Sequence, residues 1–206
     1  MRSIFTFVAL ALLFLSIHYF VIRPAQREAA RMKIYGRLGQ LHLALANYES
    51  VNGILPNRLM TDHNGRPNRS WVDAILPFVD QGIMTPAFLD TSKLWDSRHD
   101  ARSREQHREF WSLFSSDGYF VCAFDGADSI WDASGKPFGT MAEHPRKLVL
   151  VAGSFEGVQP FQSFTITEPE LRRSLRAGQE VFFFDAGRTY GIVKLDGESI
   201  RFVRKQ

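Results

Sequence analysis

SIFTFVALALLFLSIHYFVI, residues 3–22, runs for 20 residues without a formal charge and is rich in Leu, Phe, Val and Ile. A helix of that length is about 30 Å long, which matches one bilayer core. This stretch decides the fold, because the rest of the chain must be built onto its end. Arg2 gives it the small basic flank of a secretory signal peptide. Two features favour a retained anchor instead. The apolar run exceeds the roughly 7–15 residues of a signal-peptide core, and it ends in Ser16, His18, Tyr19 and Phe20 rather than in a small-x-small cleavage site. The expectation is a single-pass transmembrane anchor over residues 1–24, in contact with membrane lipid through residues 3–22.

The helix is expected to continue past Pro24. Between Gln26 and Ser50, Ile34, Leu38, Leu41, Leu45 and Tyr48 recur at steps of four and three, which places them on one face. Gly36 and Gly39 each weaken that helix by about 1 kcal/mol relative to Ala, so packing must help to hold it. Asn52-Gly53 and Pro56 end it, since Gly accepts a left-handed cap and Pro cannot extend the ladder. Residues 57–70 read as an exposed loop, and Trp71 to Val79 as a short helical element stopped near Pro77 and Gly82. Phe88, Leu89, Leu94 and Trp95 read as an irregular cover over the core. The segment from Arg98 to Glu109, with four Arg, three acids and two His, reads as a solvated helix face.

The second half changes period. Tyr119–Phe124, Lys147–Ala152, Phe161–Ile166, Val181–Asp185, Tyr190–Leu195 and Ser199–Val203 are short runs of β-branched and aromatic residues separated by Gly, Pro or Asp. They predict a sheet. Asp196-Gly197 between the last two predicts a type I′ hairpin turn. Thr167 and Glu170 have capping-box spacing, and the helix that they start stops near Gly178. The fold class is therefore α+β: a long N-terminal helix, half transmembrane and half amphipathic, followed by a sheet, with residues 25–206 forming the globular domain.

Composition agrees. The chain has 206 residues, 45% hydrophobic and 13% aromatic, enough for a real core. Lys and Arg number 25 against 22 Asp and Glu, an excess too mild and too dispersed to predict nucleic-acid binding. One cysteine cannot make an intramolecular disulfide, so packing alone holds the fold.

Five blocks, in order, resemble a family of pilin-like proteins of unknown function, best known from planctomycete bacteria, whose members carry a prepilin-type N-terminal helix. They are Leu38–Tyr48 (LGQLHLALANY) with Asn52-Gly53 and Pro56, Ser70–Gln81 (SWVDAILPFVDQ), Leu94–Asp100 (LWDSRHD), Thr167–Leu171 (TEPEL) and Leu195–Phe202 (LDGESIRF). The resemblance implies a pseudopilin-like fold in which the helix packs on an antiparallel sheet, contacts with like or related subunits, and a globular domain outside the cytoplasmic membrane. Phe5-Thr6-Phe7-Val8-Ala9 keeps the prepilin rhythm, but Ile4 stands in place of the cleavage-site Gly. Ala9 stands in place of the Glu that neutralises a neighbouring subunit's terminal amine. Arg23, Arg27, Arg31 and Lys33 follow the apolar run and by the positive-inside rule point the domain to the cytoplasm. We favour the outside placement, because those cations sit on an extended helix with Glu28 among them.

Candidate chemistry is sparse. Strand alternation puts Cys122 on one face with Phe120 and Phe124, a setting that disfavours a thiolate. His18, His42, His63, His99, His107 and His144 are scattered and show no metal-ligand spacing. His99 and His107 with Asp100, Glu105 and Glu109 read as solvated surface rather than as a site. His18 lies in the apolar span, where a polar group tends to face a partner helix. Asp125, Asp128 and Asp132 lack the dense ligand alternation of an EF-hand and read as turn residues. Trp95-Asp96-Ser97 reads as a buried Trp with a capping Asp. Trp71 and Trp95, without a concentrated basic groove beside them, make no stacking platform for single strands. No residue is assigned a catalytic, cofactor-binding or metal-binding role, and no cofactor is expected. The sequence points to a non-enzymatic, membrane-anchored pilin-like protein that works through assembly or protein contacts at the cell envelope. The alternatives are a tethered binding module for a peptide or carbohydrate and, further off, an envelope enzyme.

Overall fold

The computed structural model describes residues 2–61, 67–79, 114–116, 118–155 and 165–204. Two compact units divide between Gly36 and Arg37. The first is helical throughout: α1 (Arg2–Ile17), a π turn (His18–Ile22) and the start of α2 (Arg23–Asn52). Pro24 explains the π turn. It has no N–H to donate to the carbonyl four residues back, and its ring crowds that carbonyl. The ladder widens instead, and the Arg23 N–H donates to the His18 carbonyl. The apolar run is thus not the one continuous α-helix expected. It is a 16-residue α-helix followed by a five-residue π turn. Among the described residues, no helix is long and apolar enough to cross a membrane.

The second unit carries the rest of α2, a small hairpin, the main sheet and two further helices. On α2, Leu38, Leu41 and Leu45 are fully buried, as their spacing requires, and Tyr48 is half-buried with its ring edge-on to Phe78. The helix ends at Asn52 with Gly53 in the left-handed region at φ 77° and its N–H donating to the Glu49 carbonyl, as read from Asn52-Gly53.

Residues 57–70 are not a plain loop. They hold two antiparallel strands, β1 (Leu59–Thr61) and β2 (Pro67–Ser70). Neither Leu-Met-Thr nor Pro-Asn-Arg-Ser alternates apolar with polar, so no strand period was there to read. Helix α3 (Trp71–Ile75) and a 3₁₀ turn (Leu76–Phe78) follow as expected, and the Ser70 hydroxyl accepts the Val72 N–H at the start. The expected cover of Phe88, Leu89, Leu94 and Trp95 and the helix face of Arg98–Glu109 lie outside the described residues.

Among the described residues the main sheet has seven strands: β3 (Ser115–Ser116), β4 (Tyr119–Asp125), β5 (Leu148–Gly153), β6 (Thr165–Thr167), β7 (Val181–Asp185), β8 (Tyr190–Asp196) and β9 (Ser199–Arg204). Their order is β3-β4-β5-β7-β8-β9, with β6 beside β4. The sheet is mixed rather than wholly antiparallel, because β6 runs parallel to β4. One edge of β4 is shared: β3 takes its first two residues and β6 its last three. Of the predicted run Phe161–Ile166, Thr165 and Ile166 fall in β6, and residues 161–164 lie outside the described residues.

Strands β5 and β7 are buried along their whole length, the mark of a sheet covered on both faces. On one face, His42 of α2 packs against Phe184 with ring centroids 4.8 Å apart. On the other, Leu171 of helix α4 (Glu168–Arg176) joins Cys122, Phe124, Val151, Phe183 and Val193 in the core. Helix α4 begins with the predicted capping box: the Glu170 carboxylate accepts the Thr167 N–H at 2.8 Å and its hydroxyl at 2.7 Å. It stops before Gly178, whose φ is 76°.

The final hairpin forms where predicted, but its turn differs. Asp196 pairs with Ser199, so the turn residues are Gly197 and Glu198. Only Gly197 has positive φ, at 59°, which is the type II′ requirement rather than that of type I′.

Candidate functional site

The feature with the clearest functional content is the surface of α1 and the π turn. Phe7 is 74% exposed, Phe14 70% and Phe20 73%. Leu10, Leu12, Leu13, Leu15, Ile17, Tyr19, Val21 and Ile22 are exposed as well. At 100° per residue, Phe7, Leu12, Leu13, Leu15 and Ile17 alone point to every side of the helix. An amphipathic surface helix would carry one apolar stripe; this one is apolar all round. Inside it the Ser16 hydroxyl is satisfied locally, since Ser16 Oγ donates to the Leu12 carbonyl at 2.8 Å.

At its C-terminal end the character changes within one turn. Tyr19 meets Phe20 edge-on at 5.4 Å, and the Arg23 guanidinium lies 5.7 Å from the centre of the Tyr19 ring. An aromatic ring with a cation over it suits a boundary between an apolar medium and water. His18, singled out from sequence, is exposed in the π turn, and its carbonyl accepts the displaced Arg23 N–H.

The other sequence candidates take structural places. Cys122 is fully buried in β4, and burial, with the Glu170 carboxylate adding to it, pushes its thiol far above the ordinary range. That holds it as an inert protonated side chain. Asp125 forms an ion pair with Arg58 at 2.8 Å. Asp132 Oδ1 accepts from the Ser134 hydroxyl at 2.7 Å and the Lys136 N–H at 3.0 Å, and these bonds hold its carboxyl below the usual range. The Asp128 carbonyl accepts the Leu148 N–H. Asp132 closes a turn, Asp125 pairs across the fold with Arg58, and the printed bond of Asp128 is made by its backbone. Among the described residues no group of three or more His, Cys, Asp or Glu could hold a metal ion. His144 is half-buried near Phe138, and Trp71 is buried edge-on to Phe114. His63, His99, His107, Asp100, Glu105, Glu109 and Trp95-Asp96-Ser97 lie outside the described residues.

The sequence reading passed over three residues that hold the unit together. Trp131 Nε1 donates to the Pro56 carbonyl at 2.8 Å, tying the 126–140 turn to the exit of α2. Asp185 is buried at the end of β7, where its carboxylate accepts the Thr189 N–H at 2.8 Å and Arg204 Nε at 3.2 Å. His42 is 3% exposed, and its Nε2 has no hydrogen-bond partner. Its place four residues after Leu38 and three before Leu45 was the available signal of burial.

Desolvation lowers the His42 pKa, and Arg188 adds to the effect; a hydrogen bond to the Ala186 backbone and the Asp185 carboxylate oppose it. The folded value thus lies below the unfolded one of about 6.5. Below about pH 6.5 the unfolded chain binds the proton first, so stability falls with falling pH and levels off beneath the folded value. The stability difference between wild type and His42→Gln, from urea melts at pH 7.5 and 5.0, is expected to shift towards the variant at the lower pH. A pH-independent difference would remove His42 from the account.

Residues 24–147, more than half of the chain, match the family described as Protein of unknown function (DUF1559). The chain belongs to that family. The DUF1559 match begins at Pro24, just past the apolar helix and the π turn, and runs through α2, both small strands, α3 and β4 to the start of β5. No curated protein and no solved structure matches the chain.

Proposed function

We propose that this chain is a non-enzymatic, membrane-anchored pilin-like protein. It is held by the apolar residues 3–22 with its globular unit outside the cytoplasmic membrane, and it acts through contacts with like or related subunits at the cell envelope. One observation carries the reading: α1 and the π turn together present exposed apolar side chains on every side. In water that surface costs roughly 25 cal/mol per Å² of apolar area left uncovered, which a lipid or a bundle of similar helices removes. The π turn does not break the helical path, because its backbone N–H groups remain bonded within the helix, as a hydrocarbon medium demands.

Intact-mass measurement on protein extracted from its native membrane tests the anchor, with a mass that includes Met1 to Ile22 as the expected result. Photo-crosslinkers placed within residues 4–22 test the assembly, and are expected to capture like or related subunits. A soluble protein lacking its first two dozen residues, or crosslinking that yields monomer alone, would overturn the reading.

A further inference from the structure

The turns that follow the apolar helix carry four cations, Arg23, Arg27, Arg31 and Lys33, against one acid, Glu28. They are not equivalent. Arg31 lies 3.4 Å from Glu28, an i,i+3 pair. Arg23, Arg27 and Lys33 have no carboxylate partner among the described residues. Arg23 and Arg27 are four apart, so they share a face, and both are exposed. Counted from Ile22 at 1.5 Å per residue, they lie about 2 and 8 Å beyond the last apolar residue. A bilayer's headgroup layer is about 5–8 Å deep on each side of the core. Lys33, about 16 Å along, lies past it.

We infer that Arg23 and Arg27 form a binding surface for anionic phospholipid headgroups. Arg23, seated over the Tyr19 ring, marks the boundary between the acyl chains and the phosphates. Arg27, one turn on, meets the same phosphate layer, and a guanidinium can donate two parallel hydrogen bonds to a phosphate. The charges are complementary, and the helix delivers both cations at headgroup depth. This also gives cations on the outer side of a membrane a local counter-charge, which the positive-inside count leaves out. The inference rests on the anchor reading above.

The test is the full chain reconstituted in phosphatidylcholine vesicles with a trace of spin-labelled phosphatidylglycerol or spin-labelled phosphatidylcholine. The spectra report how strongly each lipid is held at the protein surface. A cation near an anionic surface is worth about fivefold in partition, so two give a preference for phosphatidylglycerol of up to about 25-fold. Arg23→Gln with Arg27→Gln is expected to bring the ratio close to one, as is about 1 M salt, where the screening length is about 3 Å. Lys33→Gln is expected to leave it unchanged. Equal retention of the two lipids by the wild type, or a preference that survives the double substitution, would overturn this inference while the anchor stands. If neither lipid is retained, the anchor reading fails with it.

Discussion

Replacing Phe183 by alanine is expected to destabilise the globular unit by about 3–5 kcal/mol, the range for a fully buried Phe. The position explains the size of the effect. Phe183 sits in the middle of β7, paired with Val151 on one side and Gly191 on the other. Its ring meets Phe202 edge-on at 5.5 Å and belongs to the core beneath α4. It also covers Gly191: a Cβ there would come within 2.8 Å of Phe183 Cε1 and would press on the Val203 carbonyl. Gly191, directly opposite on β8, therefore has no side chain to fill the space left by the ring, and a cavity remains. For a unit of this size the loss lowers the melting temperature by about 6–20 °C. Calorimetry on the two proteins checks it. A change under about 1 kcal/mol would mean that β8 and α4 close over the gap.

Leu10→Arg combined with Leu13→Arg is expected to move the chain out of the membrane fraction while leaving the globular unit folded. Both side chains are exposed, lie one turn apart and sit near the middle of residues 3–22. An Arg near the centre of a spanning helix costs about 3 kcal/mol, so the pair costs about 6 kcal/mol, roughly 10⁴-fold in partition. The readout is the share of protein that stays with membranes after an alkaline wash, and near-UV circular dichroism checks the globular unit. Full retention by the doubly substituted chain would show that residues 3–22 are not what holds it there.

Much of the fold is legible in local pattern. The burial of Leu38, Leu41 and Leu45 follows from 3.6-residue periodicity. The strands β4, β5, β7, β8 and β9 follow from dense β-branched and aromatic runs, and α4 from its capping box, since each signal is set by residues within one turn or one strand. Where the deciding partner is distant, the signal vanishes. Leu59–Thr61 is a strand because Pro67–Ser70 lies beside it. β6 is parallel because β3 and β6 divide one edge of β4. The turn of the last hairpin depends on a register that pairs Asp196 with Ser199, one residue from where Asp-Gly alone places it. The apolar character of the helix is visible in sequence because it is a bulk property. The roles of Asp125, His42 and Trp131 are not, because each depends on one partner: Arg58, Phe184 and the Pro56 carbonyl.

By itself the sequence determined a charge-free apolar run of 20 residues, the amphipathic stem after it, and a second half built of strands. These rest on composition and periodicity, which act over short distances along the chain. Only the tertiary structure decided the mixed sheet and the burial of His42 and Asp185. Each of those is settled by which backbone and side-chain groups are left to pair once the chain has closed on itself, and a buried polar group takes the partner that packing brings to it.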